Sequence, residues 1–283
     1  MSEAVRLPVS VVILTLNEEC NIRDCLASVW ASDDVHVLDS DSADRTVEIA
    51  RECGAKVWSN SFTSFGSQRN WAIDNIPTRY EWQLQLDADE RLTAPLIAEI
   101  VSVLATNPSE AGFYLANRMI LNGTWLRRSS GYPVYQMRLF HKGRMRFQDH
   151  GHGQREVASG PIGTLREPYD HFNFSHGIDE WFARHDRYST SEAQSAVAEL
   201  SQTADWMGLI SFDSIRRRRA QKACAWRLPC RPLIRTVEML FLRGGFLDGR
   251  AGWKYASMVG AYERMTDQKI AALRSKRLPC DRA

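Results

Sequence analysis

The chain has 283 residues, 44% hydrophobic and 25% charged, with a formal net charge of +2. Such a length can bury a full α/β core, as one large domain or a domain with an appendage, and so even a charge balance leaves any nucleic-acid argument to local clusters of charge. With no run of about 18 apolar residues, a membrane-crossing helix is not expected.

The six cysteines (Cys20, Cys25, Cys53, Cys224, Cys230 and Cys280) form no Cys-x-x-Cys pair and no zinc spacing, so they read as reduced thiols of a cytoplasmic protein. The start of the chain carries acid in place of a basic region, and its first apolar run stops at Asn17-Glu18-Glu19, too early for a secretory signal. That run, residues 9–14, is nearly continuous and β-branched, which predicts a strand buried on both faces of a parallel sheet. It empties into Thr15-Leu16-Asn17-Glu18-Glu19, after which Ile22, Cys25, Leu26 and Val29 recur at helical spacing. Residues 35–38 predict a second strand. It ends in Asp39-Ser40-Asp41-Ser42-Ala43-Asp44, and the following helix carries Val47, Ile49, Ala50 and Cys53 and closes at Gly54. Residues 56–58 predict a short third strand, and residues 66–73 a helix stopped before Pro77. Alternating strands and helices predict parallel crossovers and a doubly wound α/β sheet. Polar or acidic loops then follow Leu14, Leu38 and Leu86, at the carboxyl edge where such sheets bind ligands. Helix capping accounts for Asp44 but does not require both Asp39 and Asp41.

Within residues 82–90, Trp82, Leu84 and Leu86 alternate with glutamines, a strand period that breaks into Asp87, Asp89 and Glu90. If the chain stays extended past Leu86, Asp87 and Asp89 point to one side and can share Mg²⁺ or Mn²⁺ with substrate phosphates. A solvated turn is the competing reading of an isolated Asp-x-Asp. Beyond residue 105 the alternation loosens. Residues 112–115 and 135–140 predict strands, the second at an antiparallel edge. Arg127, Arg128, Ser129, Ser130 and Gly131 between them form a candidate acceptor-side loop, and residues 147–157 read as a glycine-flanked loop holding Asp149, Arg155 and Glu156.

Three segments together resemble glycosyltransferase family 2. Val-Val-Ile-Leu-Thr-Leu-Asn-Glu-Glu, Val-Leu-Asp-Ser-Asp-Ser-Ala-Asp-Arg-Thr and Leu-Asp-Ala-Asp-Glu look like its donor-site motifs, matching in order and spacing over residues 8–100. The resemblance implies a GT-A fold and inverting transfer from a nucleotide sugar, UDP-linked in our reading. It assigns Thr15, Asn17, Glu18, Asp39 and Asp41 to the nucleoside side of the donor, and Asp89 with Asp87 to the metal. Residues 66–72 resemble the family's helix that approaches the nucleotide. Arg69 is its candidate phosphate or base contact, since guanidinium suits phosphate; an exposed helix arginine is the alternative. The lipopolysaccharide-core β-glucosyltransferase group has a His-Glu pair where this chain has Arg155-Glu156. The histidine is missing, but Glu156 falls where that group's acid falls and is the expected general base, with Asp149 as rival and Arg155 able to hold an acceptor phosphate. Residues 170–189 also resemble that group, which makes His171 or His176 a candidate for the diphosphate or metal; a satisfied structural histidine is the alternative.

Residues 206–255 carry eleven lysines and arginines against three acids, Asp213, Glu238 and Asp248. Four arginines stand together at 216–219, and Trp206, Met207, Ile210, Phe212, Phe241 and Leu242 are among the large apolar residues interleaved with charge. Broken by Pro229 and Pro232, this pattern predicts short basic amphipathic helices lying on an anionic membrane, or else a helical subdomain with solvated arginines. The run from Gly244 to Arg250 also resembles lipid-acceptor members of the family. The expected organisation is a GT-A domain over residues 1–200 and a helical, basic amphipathic extension over 201–283. The expected enzyme sits peripherally on the cytoplasmic face of the inner membrane and takes a saccharide or lipid-linked acceptor. A nucleotidyltransferase acting on sugar phosphates would open with a glycine-rich basic loop, whereas residues 15–19 are acidic and glycine-free. A non-catalytic membrane-surface protein would have no need of three donor motifs. No recognised nucleic-acid module surrounds the arginine run.

Overall fold

The computed structural model describes residues 6–150, 153–203 and 205–275, without the side chains of His150, Arg219 and Lys222. Cys280 lies outside these residues, and no disulfide links the five described cysteines. The chain forms two compact units, Met1–Ile120 with Tyr132–Ser175, and Leu121–Gly131 with His176–Ala283.

In the first unit β1 (Ser10–Thr15) leads to α1 (Ile22–Ser28), β2 (Val35–Asp39) to α2 (Thr46–Glu52), and β3 (Lys56–Ser59) to α3 (Phe65–Asn75). Next come β4 (Trp82–Asp87), the two-residue β5 (Glu90–Arg91), α4 (Ala94–Leu104) and β6 (Gly112–Leu121). The two-residue β7 (Thr124–Trp125) belongs to the second unit. The first resumes with β8 (Val134–His141), β9 (Met145–His150), β10 (Gly153–Ala158), β11 (Ile162–Thr164) and β12 (Tyr169–His171). The main sheet runs β3-β2-β1-β4-β8-β6-β12-β5. β1, β2, β3 and β4 pair in parallel, while β8 lies antiparallel between β4 and β6. This is the expected α/β architecture, with β1 flanked on both sides as the strand order reverses, the place where such sheets bind ligands.

β1 shows why the sequence folds this way. Val11, Val12 and Ile13 are wholly buried, so the apolar run needs cover on both faces. β4 has two unlike faces. Leu84 and Leu86 enter the main core, whereas buried Gln83 and Gln85 line the other face, where α3 lies. α4, which the sequence reading did not anticipate, begins at Thr93, whose hydroxyl accepts from the Leu96 amide at 3.3 Å. Residues 147–157 are a second departure. β9 and β10 form an antiparallel pair, with Asp149 opposite Gln154 and Phe147 opposite Glu156. α3 packs close against this hairpin. A Cβ on Gly66 would lie 3.3 Å from both the Asp149 backbone nitrogen and the Gln148 carbonyl carbon, so glycine suits this close approach.

The second unit is helical: α5 (Gly177–Leu200), a short turn at Trp206–Ile210, α6 (Ser214–Ala225), α7 (Arg231–Val237), a π turn at Glu238–Leu242, and α8 (Gly249–Ser275). Ala193, Ala196 and Val197 of α5 share a core with Ile270 of α8. α8 also comes close to α7, and a Cβ on Gly260 would fall 2.4 Å from Thr236 Oγ1. Trp206, Met207, Ile210 and Phe212 are exposed, Phe212 completely. Arg216 bonds Asp205, and Arg217 bonds the Ser211 carbonyl. No described helix is long and apolar enough to cross a membrane.

Candidate active site

The register of the parallel strands sets the site. Thr15 lies beside Asp39, and Leu14 beside Asp87, so three strand ends reach one edge of the sheet. The loops after β1 and β2 are tied to each other there. Thr15 Oγ1 donates to Asp39 Oδ1 at 2.8 Å, and the Ser42 amide donates to Asp39 Oδ2 at 2.8 Å. Asn17 accepts from the Ala43 amide at 2.8 Å, and the Glu18 amide donates to Thr46 Oγ1 at 2.7 Å. Asn17 and Asp41 both take positive φ, 56° and 65°, which their short polar side chains tolerate. Asp41 accepts from Ser59 at 3.3 Å and Ser61 at 2.5 Å. The five residues expected around the nucleoside therefore form one cross-braced rim.

Beside it, β4 ends at Asp87 and the chain turns at Ala88-Asp89. The extended geometry that would aim both aspartates one way does not occur. Asp87 instead faces two guanidiniums: Arg69 Nη2 donates to Oδ1 at 3.0 Å and Arg138 Nη2 to Oδ2 at 2.5 Å. Burial opposes its ionisation, but Arg138 and Arg69 outweigh this and hold the carboxyl down at about 2. Arg69 is not an exposed helix arginine. It is 2% exposed and reaches Gln85 and the Gln154 side chain as well, bridging β4 to the hairpin. Asp89 pairs with His171 at 3.1 Å. Burial disfavours the imidazolium, yet Asp89 pushes it up to about 9, and His171 in turn holds Asp89 below its ordinary value against burial. Among the described residues, His171 Nδ1 is buried with no hydrogen-bond partner.

The two candidate bases share one face of the hairpin by strand alternation. Glu156 accepts from the Tyr114 hydroxyl at 3.3 Å. Asp149 accepts from the Gly66 amide at 3.1 Å, at the start of α3, which gives it a structural duty. Arg155 lies on the opposite face and is exposed. His176 directly precedes α5, in the second unit.

The sequence marks Glu90 as an acid of this segment but gives it no partner, and it gives no role to Arg138. Arg138 Nη2 also donates to Glu90 Oε1 at 2.7 Å, and Glu90 Oε2 accepts from the Asp87 amide at 3.0 Å. Nothing local in the sequence marks Arg138, because it meets Asp87 only through the insertion of β8 beside β4.

The family model for glycosyl transferase family 2 matches residues 10–160, from β1 past the hairpin. An uncharacterized glycosyltransferase of Rickettsia bellii is 35% identical over 122 residues, 43% of this chain and 40% of that protein, so the chain spans about two fifths of this relative. The lipopolysaccharide core biosynthesis glycosyltransferase LpsC of Rhizobium meliloti is 26% identical over 94% of this chain and 92% of its own length. A glucosyl-3-phosphoglycerate synthase from Mycobacterium tuberculosis, solved with Mg²⁺ and UDP, aligns at a TM-score of 0.40 and 18% identity over 58% of this chain and 71% of that one. Since the matched segment is more than half of the chain and contains all three strand-end motifs, the protein belongs to glycosyl transferase family 2.

Proposed function

We propose that the protein transfers a sugar from a nucleoside diphosphate donor, UDP-linked in our reading, to a saccharide or lipid-linked acceptor, inverting the anomeric carbon, in the assembly of lipopolysaccharide core or a related cell-surface glycan. The observation that carries this reading is the register bringing Thr15, Asp39 and Asp87 to one sheet edge, with Asp89 and His171 beside them. The name of the Rhizobium meliloti relative supports the glycan class. Family membership leaves the nucleotidyltransferase alternative without support.

The charges fit a divalent cation. Asp87, Asp89 and Glu90 are balanced by Arg69, Arg138 and a protonated His171. A diphosphate arriving here adds negative charge that the cluster does not offset. Asp89 would hold Mg²⁺ or Mn²⁺, and the Nδ1–H of the protonated His171, without a hydrogen-bond partner among the described residues, would donate to the diphosphate. When bound, such a cation supplies counter-charge to the diphosphate leaving group. Asp87, committed to two guanidiniums, fixes the floor of the site. The cross-braced rim of Thr15, Asn17, Glu18, Asp39 and Asp41 would orient the nucleoside.

Glu156 is the proposed base. As the anomeric carbon gains oxocarbenium character, its carboxylate takes the proton of the attacking acceptor hydroxyl, and Tyr114 positions it. The test is Glu156→Gln, which keeps the size but cannot accept the proton. Turnover, followed as released nucleoside diphosphate, should fall by about 10²-fold or more while donor affinity changes little. Asp149→Asn should keep most of its activity, because asparagine can still accept from the Gly66 amide. The reverse pattern would move the base to Asp149.

The exposed Trp206, Met207, Ile210 and Phe212 near the arginine run support peripheral attachment to an anionic membrane, on the cytoplasmic face in our reading. Each Lys or Arg near an acidic surface adds about 1 kcal/mol, and salt screens the gain. Changing Arg216, Arg217, Arg218 and Arg219 to serine should therefore reduce co-sedimentation with phosphatidylserine liposomes at low salt. Wild-type protein that ignores those liposomes at low salt would refute the attachment.

A further inference from the structure

The second unit contains a cavity of about 310 Å³. That volume is at the small end of ligand pockets, which span about 300–1,000 Å³, and suits one sugar ring. Its lining is unusual in combining aromatic surface with ionised groups of both signs. Trp181, Tyr255 and Tyr262 provide the aromatic part. His185 stacks on Trp181 with centroids 3.6 Å apart and meets Tyr262 edge-on at 5.1 Å, so these rings are fixed before any ligand arrives.

The charged groups are placed as firmly. Arg235 and Arg243 also line the cavity, and both bond the single carboxylate of Glu238, Arg243 at 2.6 Å. Two guanidiniums sharing one carboxylate keep unused N–H donors in a fork that suits phosphate or carboxylate. Glu192 and Glu263 are the acidic lining. Burial pushes the Tyr262 hydroxyl up, and hydrogen bonding to Glu192 adds to the shift. Glu263 is bonded by Arg231.

A purely apolar ligand would strip water from these charged groups and offer no polar contact in return, at a high cost. A bare anion would satisfy the arginines but would face Glu192 and Glu263 with nothing to donate. A ring with apolar C–H faces, several hydroxyl donors and one anionic group meets all three demands. We propose that this cavity binds a monosaccharide unit carrying a phosphate or carboxylate, its anionic group on Arg235 and Arg243, its hydroxyls on Glu192 and Glu263, and its ring against the aromatic residues. Assigning that unit to the acceptor rests on the transferase reading; the binding does not.

Calorimetry on the full chain tests it, with glucose 6-phosphate, glucuronic acid, glucose and inorganic phosphate as probes. At least one anionic sugar should bind, with glucose and inorganic phosphate each weaker by about tenfold, and R243Q and E192Q should each weaken that sugar by about tenfold, as loss of a charge-assisted hydrogen bond implies. The two anionic probes distinguish a phosphate from a carboxylate ligand. Circular dichroism confirms that each variant folds, and if R243Q does not, E192Q alone decides. Absence of heat with both anionic sugars, phosphate binding as tightly as its sugar ester, or wild-type affinity in the folded variants would overturn the proposal. UDP titrated with Mn²⁺ into the wild type reports on the donor-site reading separately.

Discussion

Asp89→Ala is expected to abolish sugar transfer and to remove the Mn²⁺-dependent part of nucleoside diphosphate binding. Asp89 is the one acid of its cluster not committed to a guanidinium, since Asp87 and Glu90 are held by Arg69 and Arg138. Its loss would remove the carboxylate that anchors the cation and also the partner that keeps His171 charged up to about 9. Without Asp89 the buried imidazole should lose the largest support for its charged form, so one change would weaken the counter-charge from two sources. Metal assistance supplies several kcal/mol of charge stabilisation, and at about 1.4 kcal/mol per tenfold the rate should drop by about 10³-fold or more. Calorimetry of UDP with and without Mn²⁺ checks the binding half. An unchanged Mn²⁺ dependence in the variant would contradict the metal assignment.

Arg138→Leu should have the largest effect on stability. Arg138 is 2% exposed and pairs with Glu90, which is not exposed at all. Asp87 keeps 37% of its side chain open to solvent and retains Arg69, so the cost falls mainly on Glu90, left as an uncompensated buried charge. Breaking such a pair from one side costs about 3–5 kcal/mol. Urea denaturation should show this loss, and adding Glu90→Gln should recover part of it, because the stranded charge is then gone. A single variant within about 0.5 kcal/mol of wild type, the ordinary range for surface changes, would mean that the cluster is not the electrostatic keystone described here.

The first half of the sheet was legible because each strand advertises itself. Residues 9–14 are too apolar for an open face, and residues 82–86 alternate cleanly before breaking into acid. The strand-end loops could be placed for the same reason, since parallel crossovers put every carboxyl end on one edge. The hairpin of β9 and β10 was hidden because Asp149, Gly151 and Gly153 are poor strand formers, and what stabilises it is packing on α3: Asn70 bonds both backbone groups of Phe147. The partners of Asp87 were hidden because Arg69 and Arg138 lie 18 and 51 positions away. The length of α8, in a region expected as short helices, was hidden by Gly252 and Gly260, which lower helix propensity but let neighbouring segments approach closely. A glycine read as a breaker can be a packing device, and only tertiary contacts reveal which.

The central claim, that the sheet edge with Asp89 binds and splits a nucleotide sugar, is tested most directly by incubating the full chain and Mn²⁺ with a panel of nucleotide sugars. The measured quantity is nucleoside diphosphate release, with and without EDTA. At least one donor, UDP-linked in our reading, should be hydrolysed with Mn²⁺ and spared in EDTA. If no donor is either hydrolysed or bound under those conditions, or if release is indifferent to EDTA, the metal-assisted donor site proposed here is contradicted.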